Sequence, residues 1–151
     1  MPRVTPRAPF RLTFAEVATA LVLAAVAVAI AVPALHSHFL HQRRADAVDG
    51  LERIQLAEER FYLRHGRYAV SLTDAPPQGL GLATHSAGGG YTLTLEVNDT
   101  ARPSAFTARA AGVPVDRAAP DAQCARFSLD QNGLRGARDA AGVDRTSDCW
   151  R

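Results

Sequence analysis

The chain has 151 residues, a length typical of one domain or of one domain with an appendage. Because 47% of the residues are apolar and 21% are charged, a wholly disordered chain is excluded. All 17 basic residues are arginine, and Arg3, Arg7 and Arg11 precede the first acidic residue. The rest of the chain contains 14 arginines and 15 acidic residues, a balance of −1. This near-neutral remainder gives no strong nucleic-acid signal.

An uncharged segment of 19 residues, Val17–Leu35, follows the basic N-terminus. As a helix it would be roughly 28 Å long, close to the hydrocarbon thickness of a bilayer. The preceding arginines favour a cytoplasmic N-terminus and export of the remainder. Three interpretations of the segment are open: a secretory signal cleaved at Ala29-Ile30-Ala31, a plain membrane anchor, and a helix in which the carboxylate of Glu16 has a specific role.

The spacing around Glu16 favours the third interpretation. An arginine-rich leader precedes the string Leu12-Thr13-Phe14-Ala15-Glu16, and Pro33 follows Glu16 by 17 positions. With Leu12 counted as the first residue, Glu16 is the fifth and Pro33 is the twenty-second. This arrangement resembles the N-terminus of type IV pilins and of the related type II secretion pseudopilins.

The resemblance implies that a prepilin peptidase cuts between Arg11 and Leu12. Glu16 would then pair, within the membrane, with the N-terminal amine of a neighbouring subunit, and Pro33 would kink the helix. The family has glycine immediately before the cut, where this chain has Arg11. An uncut chain is therefore the alternative, and in it the amine at Met1 is too far away for this pairing.

The resemblance also implies partners and a location. The partners are other pilin subunits, the prepilin peptidase and an inner-membrane assembly platform. The protein would span the inner membrane with a periplasmic head before assembly, and would then become part of an extracellular pilus. No cofactor is implied.

The predicted fold class is α+β, with a long N-terminal helix packed on a small antiparallel sheet of three to four strands. The helix is expected to continue through residues 36–65, since apolar residues recur there at steps of three or four: Val48, Leu51, Ile54, Ala57 and Phe61. Gly66 suits its C-terminal cap. Alternating patterns and the turn signal Asn132-Gly133 predict a meander with strands at 91–97, 104–110, 124–129 and 134–138.

Four segments are thus expected along the chain. They are a basic leader at 1–11, a hydrophobic transmembrane and filament-core helix at 12–35, its amphipathic continuation at 36–65, and a loop-plus-sheet head at 66–151. The two cysteines, Cys124 and Cys149, are expected to pair in an exported chain, and two free thiols are the alternative. The string at residues 59–68 and the tail Asp148-Cys149-Trp150 resemble minor pilins of the PilE type, in which a disulfide bounds an exposed C-terminal loop.

No pattern indicates an enzyme or a metal site. His38 and His41 can share a helix face, but His36 points elsewhere, and no cysteine or acid completes a ligand set. The predicted function is that of a structural subunit, a minor pilin, of a type IV pilus. The alternatives are a pseudopilin of a type II secretion system and a membrane-anchored or secreted binding domain that does not polymerise. The sequence leaves any ligand of the head open.

Overall fold

A computed structural model describes residues 13–115 and 119–151, with the backbone alone for His36. Helix α1 comprises Phe14–His65 and is followed by four strands and a short C-terminal helix. The chain divides between His38 and Phe39 into an N-terminal unit and a second unit that ends at Arg151. We call the second unit the head; it is longer than the expected head at 66–151 because it includes the C-terminal part of α1. The predicted α+β class is confirmed.

The described N-terminal unit is the first part of α1, and its apolar side chains are exposed. More than half of the surface of each of the following is accessible: Leu21, Val22, Leu23, Val26, Val28 and Ile30. Among the described residues, α1 is the one helix long and apolar enough to cross a membrane, judged by length and composition alone. Pro33 lies within α1, and the kink expected there stays a prediction.

In the head, α1 buries one face against the sheet. The predicted stripe is confirmed at Leu51, Ile54 and Phe61, all of which are buried in the head. Their spacing of three and seven keeps them on one side of a helix with 3.6 residues per turn. Gly50 lets α1 lie close to the side chain of Leu93, because a Cβ atom at position 50 would lie 3.0 Å from Cδ1 of Leu93.

Helix α1 ends where the sequence predicts. Gly66 adopts a φ of 67°, a left-handed conformation that costs glycine little, and its N–H donates to the carbonyl of Tyr62 at 2.8 Å. Arg64 and His65 in the last turn lie near the negative end of the helix dipole. The chain then forms an irregular loop up to the first strand.

The sheet is an antiparallel meander of order β1-β2-β3-β4. Its strands are β1 (Tyr91–Val97), β2 (Phe106–Gly112), β3 (Arg126–Asp130) and β4 (Arg135–Arg138), and helix α2 (Thr146–Cys149) follows. The inner face packs on α1 through Tyr91, Leu93, Phe106, Ala108, Ala110, Phe127, Leu129 and Ala137.

Two strands begin two residues later than predicted, for a local reason in each case. The N–H groups of Ser104 and Ala105 donate to the side-chain oxygen of Asn98 at 3.1 and 3.0 Å, so they do not join the ladder. The N–H of Cys124 likewise donates to Asp121 at 3.3 Å. Helix α2 was not predicted, since a single turn leaves no periodic pattern in the sequence.

Candidate functional site

Glu16 lies in the first turn of α1, where it exchanges hydrogen bonds with Thr13. Its Oε2 accepts from the N–H of Thr13 at 2.7 Å and from the hydroxyl of Thr13 at 2.9 Å. The Oγ1 of Thr13 in turn accepts from the N–H of Glu16 at 3.3 Å. This is a capping box, which satisfies N–H groups that a helix start leaves without partners. Its usual signal, Thr-x-x-Glu before an apolar run, is present in the sequence, yet the docking prediction did not consider it.

The Glu16 carboxylate keeps room for a further partner. Among residues 13–115 and 119–151, only its Oε2 is hydrogen-bonded, and the side chain is exposed. The other oxygen, Oε1, can therefore accept from a cation outside the chain. The predicted cleavage site, Arg11 and Leu12, lies outside the described residues.

A disulfide closes the C-terminal end of the head. The Sγ atoms of Cys124 and Cys149 are 2.06 Å apart, and both residues are buried. Next to this bond, the Nε1–H of Trp150 donates to the carbonyl of Gly136 at 2.9 Å, and its ring packs edge-on against Phe127. The tail Asp148-Cys149-Trp150 is thereby tied to the end of the sheet.

An ion pair ties α1 to the segment between β2 and β3. The Nε of Arg44 lies 2.6 Å from Oδ2 of Asp121, and the two side chains are only 13% and 3% exposed. Burial acts to raise the pKa of Asp121. The hydrogen bond and charge of Arg44, together with the N–H groups of Gln123 and Cys124, outweigh it and lower that pKa overall. Asp121 therefore stays ionised in the folded head.

Glu58 is a buried carboxyl group within the apolar stripe of α1. It lies four residues after Ile54 and three before Phe61, so it shares their face, and none of it is exposed. Its Oε2 accepts from the N–H of Ala69 at 2.8 Å, whereas Oε1 has no hydrogen-bond partner among the described residues. Burial raises the pKa of Glu58 to about 7, although the bond from Ala69 opposes the shift.

On the outer face of the sheet, turned away from α1, the kind of charge changes from one row of paired residues to the next. The ladder aligns its residues in three rows: Glu96, Thr107 and Asp130; then Thr94, Arg109, Ser128 and Gly136; then Thr92, Ala111, Arg126 and Arg138. One end of this face is acidic. The other end row holds Arg126 and Arg138, and Arg109 lies in the middle row beside them; we call this three-arginine part of the face the arginine end.

The arginine end is concave. A pocket of about 250 Å³ is lined there by Arg109, Arg126 and Arg138, with the hydroxyl-bearing residues Thr94 and Ser128 beside them. Gly136 keeps the pocket floor open, because a Cβ atom at that position would lie 2.6 Å from Oγ of Ser128. This cluster has no signature in the sequence, since only the pairing register of the strands brings the three arginines together.

No described group of three His, Cys, Asp or Glu side chains is arranged to hold a metal ion. Three described features are candidates for a functional role. They are the carboxylate at the start of an exposed apolar helix, the disulfide end of the head, and the arginine end of the outer face.

Comparison with known proteins decides the family. A family model described as "Type IV minor pilin ComP, DNA uptake sequence receptor" matches residues 33–128, about two thirds of the chain. The chain belongs to this family of type IV minor pilins. Minor pilins are structural subunits rather than enzymes, and an apolar N-terminal helix fits a subunit that is first anchored in a membrane and then part of an extracellular pilus. The matched residues of this minor pilin do not include Glu16 or Cys149.

A solved structure is also similar to this minor pilin. It is described as "High-Resolution Structure of a Type IV Pilin from Shewanella oneidensis", and it is 25% identical in sequence. The match covers 64% of this chain and 89% of that chain, with a TM-score of 0.44. No curated protein matches the chain.

Proposed function

We propose that this minor pilin is incorporated into a type IV pilus through its N-terminal helix, with Glu16 of one subunit paired to the N-terminal amine of its neighbour. The observation that carries the proposal is a carboxylate at the start of an apolar helix whose side chains are exposed. An exposed apolar surface of this kind needs lipid or protein to cover it. In that environment an unpaired carboxylate and an unpaired amine are both costly, and pairing relieves both.

The proposed pathway begins in the inner membrane, with the head in the periplasm. A prepilin peptidase cuts between Arg11 and Leu12, which creates an α-amine at Leu12, and the assembly platform then adds the subunit to the filament. Near neutral pH most of such an amine is protonated. The minor-pilin family and the disulfide of the head support this function over a secretion pseudopilin or a domain that does not polymerise.

The capping box of Glu16 and Thr13 is a competing explanation for the carboxylate, and substitutions separate the two roles. Gln can complete a capping box but carries no charge, so Glu16→Gln keeps the helix start and removes the ion pair. Thr13→Ala does the reverse, because it removes the capping hydroxyl and keeps the charge. Glu16→Ala removes both.

The experiment replaces the native copy in cells with each variant and compares the amount in sheared pili with the amount retained by the cells. Docking through charge predicts that Glu16→Gln and Glu16→Ala are both lost from the sheared fraction, while Thr13→Ala is incorporated. If Glu16→Gln is incorporated as well as the unaltered chain, the ion-pair role is wrong and the carboxylate serves only the helix start.

We further propose that the head binds DNA. The family description names a DNA uptake sequence receptor, and the arginine end of the outer face is a local concentration of positive charge suited to phosphates. The test measures fluorescence anisotropy of a labelled duplex against the full chain in non-ionic detergent. The expected result is binding at about 50 mM salt that weakens steeply by about 200 mM. An absence of binding at the lower salt contradicts this function.

A further inference from the structure

The arginine end contains a pair of like charges that the sheet does not neutralise. Arg126 and Arg138 are directly opposite each other on β3 and β4. Side chains in that relation have Cβ atoms about 4.5–5.5 Å apart, and like charges so placed are destabilising. Nothing in the packing of the inner face requires arginine at either position, since both side chains point outward and are exposed.

The hydrogen bonds of these two arginines go to uncharged carbonyl oxygens, and Arg138 also interacts with the charge of the nearby Asp144. Arg126 donates from Nη2 to the carbonyl of Asp139 at 3.2 Å, and Arg138 donates from Nη1 to the carbonyl of Gly142 at 3.1 Å. Among the described residues, neither guanidinium lies within 4.0 Å of a carboxylate. Each guanidinium has five N–H donors, so most of them remain available.

Arg109, Glu96 and Asp144 are the other charged residues in or beside the pocket. The Nε of Arg109 lies 2.9 Å from Oε2 of Glu96, in a pair whose side chains are half exposed. Asp144 lines the pocket near Arg138, and the N–H of Thr146 is the main cause of its lowered pKa, so this acid stays ionised. Three positive charges thus face two negative ones, and the excess is concentrated on Arg126 and Arg138.

We propose that Arg126 and Arg138 together hold a backbone phosphate of bound DNA, with the hydroxyl of Ser128 at the pocket floor. The planar guanidinium fork matches two phosphate oxygens, and two forks side by side supply a charge that one phosphate can offset. This inference rests on the proposed DNA binding and names its site. Contacts of this type position DNA without reading its bases, so the pocket would contribute affinity more than sequence preference.

The experiment compares variants of the full chain in the same anisotropy titration, over a range of salt concentrations. For Arg126→Gln/Arg138→Gln we expect about tenfold weaker binding and a slope of log K against log salt that is shallower by about 1. The matched control is Arg53→Gln, which removes an exposed arginine from α1 and should leave both quantities unchanged. Fluorescence of Trp150, the single tryptophan, checks that the head stays folded.

Two further variants sharpen the result. Arg126→Lys/Arg138→Lys keeps the charge but loses the fork, so the salt slope should stay the same while binding weakens. Glu96→Gln frees Arg109 from its acidic partner, so binding should become tighter and the slope steeper. This opposite sign is not expected from a variant that merely disturbs the fold.

The outcomes separate this inference from the function on which it rests. If the unaltered chain binds DNA and the double glutamine variant binds it equally well, the phosphate site is wrong and DNA binding stands. If the unaltered chain does not bind DNA, the proposed DNA binding fails and the site fails with it. If heparin displaces the DNA at equal charge concentration and the lysine variant behaves as the unaltered chain, the pocket is a general polyanion site, which also overturns the inference.

Discussion

At the scale of single residues, two buried carboxyl groups of the head respond to pH in opposite directions. Glu58 has a pKa raised to about 7 by burial, so it is largely neutral in the folded head at pH 6. Asp121 has a lowered pKa because Arg44 and two backbone N–H groups outweigh its burial, so it is charged there. Folding therefore favours proton uptake at the first group and proton release at the second.

The first prediction concerns Glu58→Gln. Between the unfolded pKa of 4.5 and the folded value of about 7, the folded state binds more protons than the unfolded state. The free energy of unfolding should consequently fall as pH rises through this window, by up to roughly 1.4 kcal/mol per pH unit. Gln keeps an acceptor for the N–H of Ala69 and does not titrate, so the variant should lose most of this dependence.

The measurement is urea unfolding of the full chain in detergent, followed by Trp150 fluorescence at about pH 5 and about pH 8. Glu59→Gln is the matched control, because the adjacent Glu59 is exposed and should leave the pH dependence intact. Equal pH dependence in the unaltered chain and in Glu58→Gln would show that Glu58 is not the titrating group.

The second prediction concerns Asp121→Asn. Removing one partner of a buried ion pair leaves Arg44 uncompensated, so we expect a loss of about 3–5 kcal/mol. The stability that the Asp121 charge provides is present above its unfolded pKa of 3.8 and is lost as pH falls through its lower folded value. The variant should therefore be destabilised near neutral pH and show a weaker acid dependence.

Asp49→Asn provides the comparison for that variant. Asp49 pairs with Arg53 on the surface of α1, with both side chains more than 60% exposed, and such pairs contribute at most about 1 kcal/mol. The same urea titration should separate the two variants clearly. Similar small losses in both would mean that the Arg44–Asp121 pair contributes no more than a surface pair.

At the scale of elements, the disulfide holds the C-terminal loop to the start of β3. Cys124 and Cys149 are separated by 25 residues, and closing a loop of this size restricts the unfolded chain by about 3.5 kcal/mol on the chain-entropy estimate. Replacing both with serine should lower the urea midpoint accordingly. Treating the unaltered chain with a reductant should lower it equally, and an unchanged midpoint in both cases would contradict the prediction.

The spacing of apolar residues predicted much of the fold, because burying one face of a helix or strand requires apolar residues at regular intervals. The three-to-four spacing identified Leu51, Ile54 and Phe61 as the buried side of α1, and alternation identified the inner positions of the strands. Glu58 lies in the same stripe, but a carboxyl group there cannot be distinguished by residue type from the exposed acids around it. Its burial depends on the N–H of Ala69, which the loop after α1 brings close.

The candidate sites were only partly predictable. Glu16 and the two cysteines were identified from spacing and resemblance, whereas the capping hydroxyl of Thr13 was overlooked. Arg126 and Arg138 are 12 positions apart in the sequence, and only the β3–β4 register brings them together. A pattern that depends on pairing between strands cannot be read from either strand alone.

At the scale of the whole molecule, the net charge of +2 conceals an uneven distribution. Two acids lie in one end row of the outer face and two arginines lie in the other, so a nearly neutral head still presents a pocket with more positive than negative charge. Local fields of this kind, rather than the total charge, govern encounters with polyanions. The N-terminal unit is of different character, because its exposed surface is apolar and suited to lipid or to neighbouring subunits.

The central claim is that this minor pilin enters the filament as a processed subunit whose new amine meets Glu16. The most direct test is mass spectrometry of the chain recovered from sheared pili. The expected N-terminal residue is Leu12, with or without a methyl group on its amine. A chain that begins at Met1 or at Val32, or one that is retained by the cells and absent from the sheared fraction, would contradict the account.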